Sequence, residues 1–189
     1  MNPQYQNIIS PPPSKRQTTR FTPKALLLVG GILIAVLIAI TLLLLGSGNK
    51  PVSQMEHLSA RFETLQTILK LGTKNVKAAD LKKVQSDASI LVIGDGALIN
   101  QAMKDAGFAK ISKDITTSEA DAATLATLSD AQLNGTFDTA YKKVLSQKLE
   151  STMALMREID SKTNNKALKS ALSTAYTHFG GLLDQLAKL

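Results

Sequence analysis

Apolar residues recur with helical spacing through most of the chain. Met55, Leu58, Phe62, Leu65 and Leu69 fall at the i, i+3, i+4, i+7 positions of an amphipathic helix. Ser53-x-x-Glu56 in front of them has the form of a capping box, with each side chain satisfying a free backbone N–H. Gly72 marks the end, because glycine takes the left-handed cap without steric cost. A second stripe, Leu81, Val84, Ala88, Leu91, Asp95, Leu98 and Ala102, predicts a helix from about Ala78 to Ala106, closed at Gly107. Ile90-Leu91-Val92-Ile93 within it has a strand-like composition. The helical stripe on both sides and the lack of a partner strand argue for helix.

Thr116-x-x-Glu119 repeats the capping pattern and predicts a short Ala-rich helix to about Leu128, and Ser129-x-x-Gln132 caps one more turn before Gly135. The next long helix starts near Thr136, with Phe137, Tyr141, Val144/Leu145, Leu149, Thr152, Leu155/Met156 and Ile159 on its face. Asn164-Asn165 breaks it. The last helix carries Leu168, Leu172, Ala175, Phe179, Leu182 and Leu186. Gly180-Gly181 inside that helix costs about 1 kcal/mol per Gly relative to Ala, which predicts close packing there. Four long stripes joined by short breaks predict an all-α domain over residues 53–189: an antiparallel four-helix bundle with one short connecting helix.

A different pattern precedes the bundle. Ala25–Leu45 is uncharged, and only Gly30, Gly31 and Thr41 interrupt its aliphatic run. At about 1.5 Å per residue it reaches about 31 Å, the thickness of a bilayer core. It is longer than a signal-peptide core and ends in Gly46-Ser47-Gly48, a poor cleavage match, so a retained transmembrane helix is the expectation. Residues 1–24 hold Lys15, Arg16, Arg20 and Lys24 and no acid. The positive-inside rule then predicts a cytoplasmic N-terminus and an extracytoplasmic C-terminal domain in the cell membrane. Pro11-Pro12-Pro13 and the polar residues around it predict a disordered basic tail that touches anionic lipid, with a proline-rich ligand as the alternative. Residues 46–52 read as a linker. Gly31, Ala35 and Ala39 recur at i, i+4, i+8 and form a candidate transmembrane packing face for a homodimer.

Composition narrows the chemistry. There are no cysteines and two histidines among 189 residues, which excludes disulfides, thiolate metal sites and a cysteine nucleophile. Of the net charge of +7, the tail contributes four positive charges. The remaining lysines are scattered, with only Lys82-Lys83 and Lys142-Lys143 adjacent, so no nucleic-acid partner is expected. His57 reads as a surface residue and His178 as lying at the bundle edge. Neither has an acid at the i±3 spacing of helical di-iron bundles, so no cofactor or metal is expected.

Asp95 is the one candidate buried polar site. It lies on an apolar stripe in Gly94-Asp95-Gly96, and a carboxylate facing a core must be paired, hydrogen-bonded or protonated. A local helix break or slight rotation that solvates it is the simpler reading. Gly-x-Gly here lacks the third glycine and the preceding strand of a dinucleotide site. Asn134-Gly135-Thr136 matches a glycosylation sequon but is equally a helix-break tripeptide. No nucleophile–base set is recognisable, so an enzyme is not expected.

Leu133-Asn134-Gly135-Thr136-Phe137-Asp138-Thr139-Ala140-Tyr141 resembles the "L-x-G-x-F-D-x-x-Y" start of the third helix in a bacterial envelope family of ferritin-like helical bundles with no assigned function. The similarity runs on through Leu149–Met156 and from Ala167 to the end. It implies a ferritin-like four-helix bundle over about 53–189. Members of that family often carry histidines where this chain has Leu149 and Leu182, so their metal or redox chemistry does not carry over. The expected function is therefore a binding or scaffolding module of the cell envelope with an envelope protein partner. The alternative is a small-ligand or metal-binding ferritin-like protein.

Overall fold

Six helices make up the domain among the described residues, and three of them start at a local side-chain cap. The structure, a computed structural model, describes residues 51–108 and 110–189. The predicted transmembrane helix 25–45, its packing face Gly31, Ala35 and Ala39, and the basic tail lie outside the described residues. Among the described residues no helix is long and apolar enough to cross a membrane.

Helix α1 (Val52–Asn75) starts directly after Pro51, with no side-chain cap. Ser53 therefore lies inside the first turn and forms no capping box with Glu56. The Glu56 carboxylate instead accepts the backbone N–H of Ser112 at 3.1 Å. Gly72 does not end the helix. It is helical and buried, and the helix runs on to Asn75, whose side-chain amide donates to the Leu71 carbonyl at 3.0 Å.

Helix α2 (Ala79–Asp105) closes as its sequence predicts. Gly107 takes φ 96°, and the Phe108 N–H reaches back to the Met103 carbonyl at 2.9 Å, the Schellman pattern. The buried face of α2 is rotated from the predicted stripe. Val92 and Ile99 are fully buried, Leu91 is only partly buried, and Leu98 is 61% exposed. The segment from Ile90 to Ile99 is apolar almost all round, so hydrophobic spacing alone does not set its rotation.

The connection between α2 and the next long helix holds two helices where one was expected: α3 (Lys113–Glu119) and α4 (Ala122–Leu133). Ser112 caps α3 by accepting the Ile115 N–H at 3.3 Å, so Thr116 lies inside the helix and caps nothing. Asp121 caps α4 from the left-handed region (φ 49°), accepting the Thr124 N–H at 3.2 Å. Ser129 is likewise interior. Gly135, at φ 72°, closes α4, and the Thr136 N–H donates to the Ala131 carbonyl at 2.9 Å. Helices α5 (Phe137–Lys162) and α6 (Lys166–Ala187) complete the chain, with Asn165 capping α6 through the Leu168 N–H at 2.9 Å.

The four long helices form a ring in which α1 packs on α2 and α5, and α6 packs on α2 and α5. Gln54 near the start of α1 meets Glu158 near the end of α5, and Asp138 at the start of α5 meets the α1–α2 turn. Neighbours are therefore antiparallel. The diagonal pair α2 and α5 is parallel, because the connection runs the length of the bundle, with α3 on α1 and α4 on α5. The predicted faces of α1, α5 and α6 are all buried, and Phe62 meets Phe179 across the centre at 5.9 Å between rings. Gly180 and Gly181 are not a point of close packing: a Cβ at Gly181 would have nothing within 4 Å. The close approaches are at Gly72, where a Cβ would collide with the Tyr141 ring, and at Gly96, where it would sit 2.9 Å from the Phe62 ring.

Candidate functional site

The helix carrying Asp95 is unbroken through Gly94-Asp95-Gly96, so no local break solvates the carboxylate. Asp95 is 5% exposed. Its two oxygens lie 3.1 and 2.9 Å from Nδ1 of His178 on α6, whose side chain is 39% exposed. An ionised carboxylate can only accept, so in that state the contact is a hydrogen bond donated by the His178 Nδ1–H. The pair ties α2 to α6 across 83 residues of sequence. It has the orienter–imidazole half of a catalytic triad, and no hydroxyl nucleophile is bonded to it. Among the described residues no group of three or more His, Asp or Glu side chains converges on a common point.

A second cluster, absent from the sequence reading, lies where α3 meets α4. Oε1 of Glu119 is 2.8 Å from Nδ1 of His57, and Oε2 accepts the Arg61 Nε–H at 3.1 Å. The Thr64 hydroxyl donates to the Glu119 carbonyl at 2.6 Å, and Arg61 also donates to the Ser151 carbonyl at 2.9 Å. One helical turn links His57 to Arg61, so both reach the same carboxylate. His57 is thus a tethered residue, not a bare surface one. Next to Glu119, the Asp121 carboxylate pairs with Lys148 of α5 and accepts the Thr124 hydroxyl at 2.6 Å. Desolvation raises the Asp121 pKa, but the Lys148 ammonium and the two Thr124 hydrogen bonds outweigh it, and the net shift is downward. These side chains border a cavity of about 190 Å³ lined by Arg61, Thr64, Glu119, Lys148, Ser151 and Thr152. Its cations are already paired with acids, so it offers hydroxyls and neutralised ion pairs.

A larger groove of about 460 Å³ opens between α5 and α6, where the Arg157 guanidinium lies 4.7 Å above the Tyr176 ring. Arg157, Asp160 and Lys169 line it with Tyr176. Its mixed charges and open form suit weak polar contacts.

Two further networks are structural. The Gln85 amide nitrogen donates to the Leu69 carbonyl at 3.2 Å, to Thr73 Oγ1 at 2.8 Å and to Ser89 Oγ at 3.0 Å. The Ser59 hydroxyl donates to Asn100 Oδ1 at 2.9 Å. Both pin α2 to α1. The spacing of the Asp95 stripe points to its burial, but nothing local points to His178 or Glu119 as partners. The only available signals were the scarcity of histidine and the i, i+4 placement of His57 and Arg61. Comparison with known proteins finds no matching family model, no similar curated protein and no similar solved structure.

Proposed function

We propose that the chain is a single-pass membrane protein whose C-terminal helical bundle is an extracytoplasmic binding or scaffolding module of the bacterial cell envelope. The observation that carries this reading is the uncharged apolar run Ala25–Leu45 with four basic residues before it and a helical domain after it. Within that domain the polar clusters join helix to helix, and their hydrogen-bonding capacity is used inside the fold. Cysteine labelling in intact cells tests the topology. Lys188→Cys should react with an impermeant maleimide, and Ser14→Cys should react only after permeabilisation. The opposite pattern removes the proposal. Crosslinking mass spectrometry in the same cells then reads the partner: one dominant envelope protein on residues 50–189 supports a binding module.

A small-ligand-binding, ferritin-like protein is the second reading. Two features favour it: the single long crossover between parallel α2 and α5, a connectivity of ferritin-like bundles, and the partly open cavity beside Arg61 and Lys148. A metal version has little support, since Leu149 and Leu182 are buried apolar residues. Native mass spectrometry of the purified full chain separates the readings: a stoichiometric bound small molecule would favour the second.

A further inference from the structure

The outer face of α2 is apolar. Ile90, Ile93 and Leu98 are 69%, 58% and 61% exposed, and Gly94 and Ala97 lie between them on the same face. Three large aliphatic side chains held in water on one rigid helix are a marked interaction surface. No charge interrupts the face from Ile90 to Gln101. Each end carries one cation and one anion, Lys83 with Asp87 and Lys104 with Asp105. Interfacial membrane helices instead set a strongly basic polar face beside Trp, Phe or Leu, and this face lacks that asymmetry.

We infer that this face of α2 pairs with the same face of a second copy of the chain. A twofold contact places one patch against itself, and balanced ends make that self-contact free of net like-charge repulsion in either helix direction. At the centre, a Cβ on Gly94 would have nothing of its own chain within 4 Å. A second backbone therefore has room to approach there, with the aliphatic side chains packing on either side. The stripe covers about three helical turns, some 18 Å, and buries on the order of a few hundred Å² per copy. A stable interface between free proteins needs about 800 Å² per partner. The face is too small to hold two free copies and is suited to two copies confined together. That tether is the apolar segment 25–45 in a shared membrane, so the inference rests on the membrane-anchor reading.

The chain has no cysteine, which makes the test clean. Gly94→Cys is introduced into the full-length chain in native membranes, with Ala154→Cys on the exposed side of α5 as control. Mild oxidation should give roughly tenfold more disulfide-linked dimer, at twice the chain mass, for Gly94→Cys than for the control. Adding Ile93→Glu and Leu98→Glu to Gly94→Cys should abolish it, and both positions are exposed, so the fold survives. Equal crosslinking at both cysteines, none at either, or an adduct of another mass overturns the inference. Alkaline extraction of the same membranes is read in parallel. A chain that stays in the membrane without a Gly94 dimer leaves the anchor standing and sinks the pairing. A chain that is extracted sinks the anchor. A Gly94 dimer of a chain without that anchor would overturn the argument that confinement drives the pairing, and its absence removes both.

Discussion

The ring of Tyr141 occupies the space beside Gly72 that any side chain there would need. A Cβ built on Gly72 would collide with the Cζ and hydroxyl of Tyr141, which is fully buried at the start of α5. Glycine at this position is therefore a packing requirement. It costs α1 about 1 kcal/mol of helix propensity relative to alanine, and overpacking a closed interior costs about 1–3 kcal/mol. Gly72→Ala recovers the first and incurs the second, so it should lose up to about 2 kcal/mol of unfolding free energy in denaturant titrations. In a Tyr141→Leu background the same substitution should cost less, since the ring is gone. An equal cost in both backgrounds would show that the ring is not the obstacle.

The hydroxyl of that ring has no hydrogen-bond partner among the described residues. A buried unsatisfied hydroxyl carries a desolvation penalty of about 1–3 kcal/mol. Tyr141→Phe should therefore be neutral or stabilising, raising Tm, where most core substitutions lower it. Burial also pushes the Tyr141 pKa up. The folded state thus keeps the phenolic proton at a pH where the unfolded chain, at about 10, releases it. Stability from this residue is complete below about pH 10 and falls as pH rises further. Alkaline melts should show that extra loss in the parent and lack it in Tyr141→Phe. Parallel alkaline curves would mean that the hydroxyl finds water.

Asp138 caps a helix to which it does not belong. The N-cap of α2, Ala78, has no side chain able to accept, and the Asp138 carboxylate takes the Ala78 N–H at 2.8 Å and the Lys77 N–H at 3.0 Å. An anion at a helix N-terminus also meets the favourable end of the helix dipole. The stretch from Phe137 to Tyr141 then has a physical account: a buried aromatic, a cap for α2, and a ring against Gly72. Asp138→Ala should cost about 1–2 kcal/mol, in the range of lost N-caps. Asp138→Asn should retain a good part of that, and amide exchange should quicken first in the opening turn of α2. Uniform loss of protection along the whole chain would argue against a capping role.

How far the sequence foretold these contacts depended on how one-sided each helix is. Met55 to Leu69 on α1, Phe137 to Ile159 on α5 and Leu168 to Leu186 on α6 set apolar residues against polar backs, and their predicted faces are the buried ones. Helix α2 has apolar residues all round from Ile90 to Ile99. Its rotation is set by polar partners on other helices: Gln85 on α1 atoms, Asn100 on Ser59, Asp95 on His178. Those pairings are long-range and leave no local pattern, so the apolar stripe points Leu98 inward while it lies outward. The α3–α4 joint was missed for a similar reason. Ala-rich sequence gives no breaker there, and the break comes from Asp121 taking a left-handed conformation that Lys148 and Thr124 hold in place. Asp95 was legible as a polar residue on a core face. Its partner was not, because 83 residues separate them.

That partnership makes the sharpest prediction. If His178 is what makes a carboxylate tolerable inside the α2 face, then His178→Ala leaves Asp95 buried and unpaired, and breaking one side of such a pair costs about 3 kcal/mol or more when both partners are enclosed. His178 is partly exposed, so water replaces some of the lost contact and the cost should fall nearer 1–2 kcal/mol. Asp95→Leu should be milder than His178→Ala, because it removes the group that needs a partner and adds apolar surface beside Leu91. The double variant Asp95→Leu/His178→Ala should then be more stable than His178→Ala alone. A double-mutant cycle by urea denaturation measures this directly. A coupling energy near zero, with the two single costs simply adding, would show that the pair is an incidental contact and that Asp95 is solvated by another route.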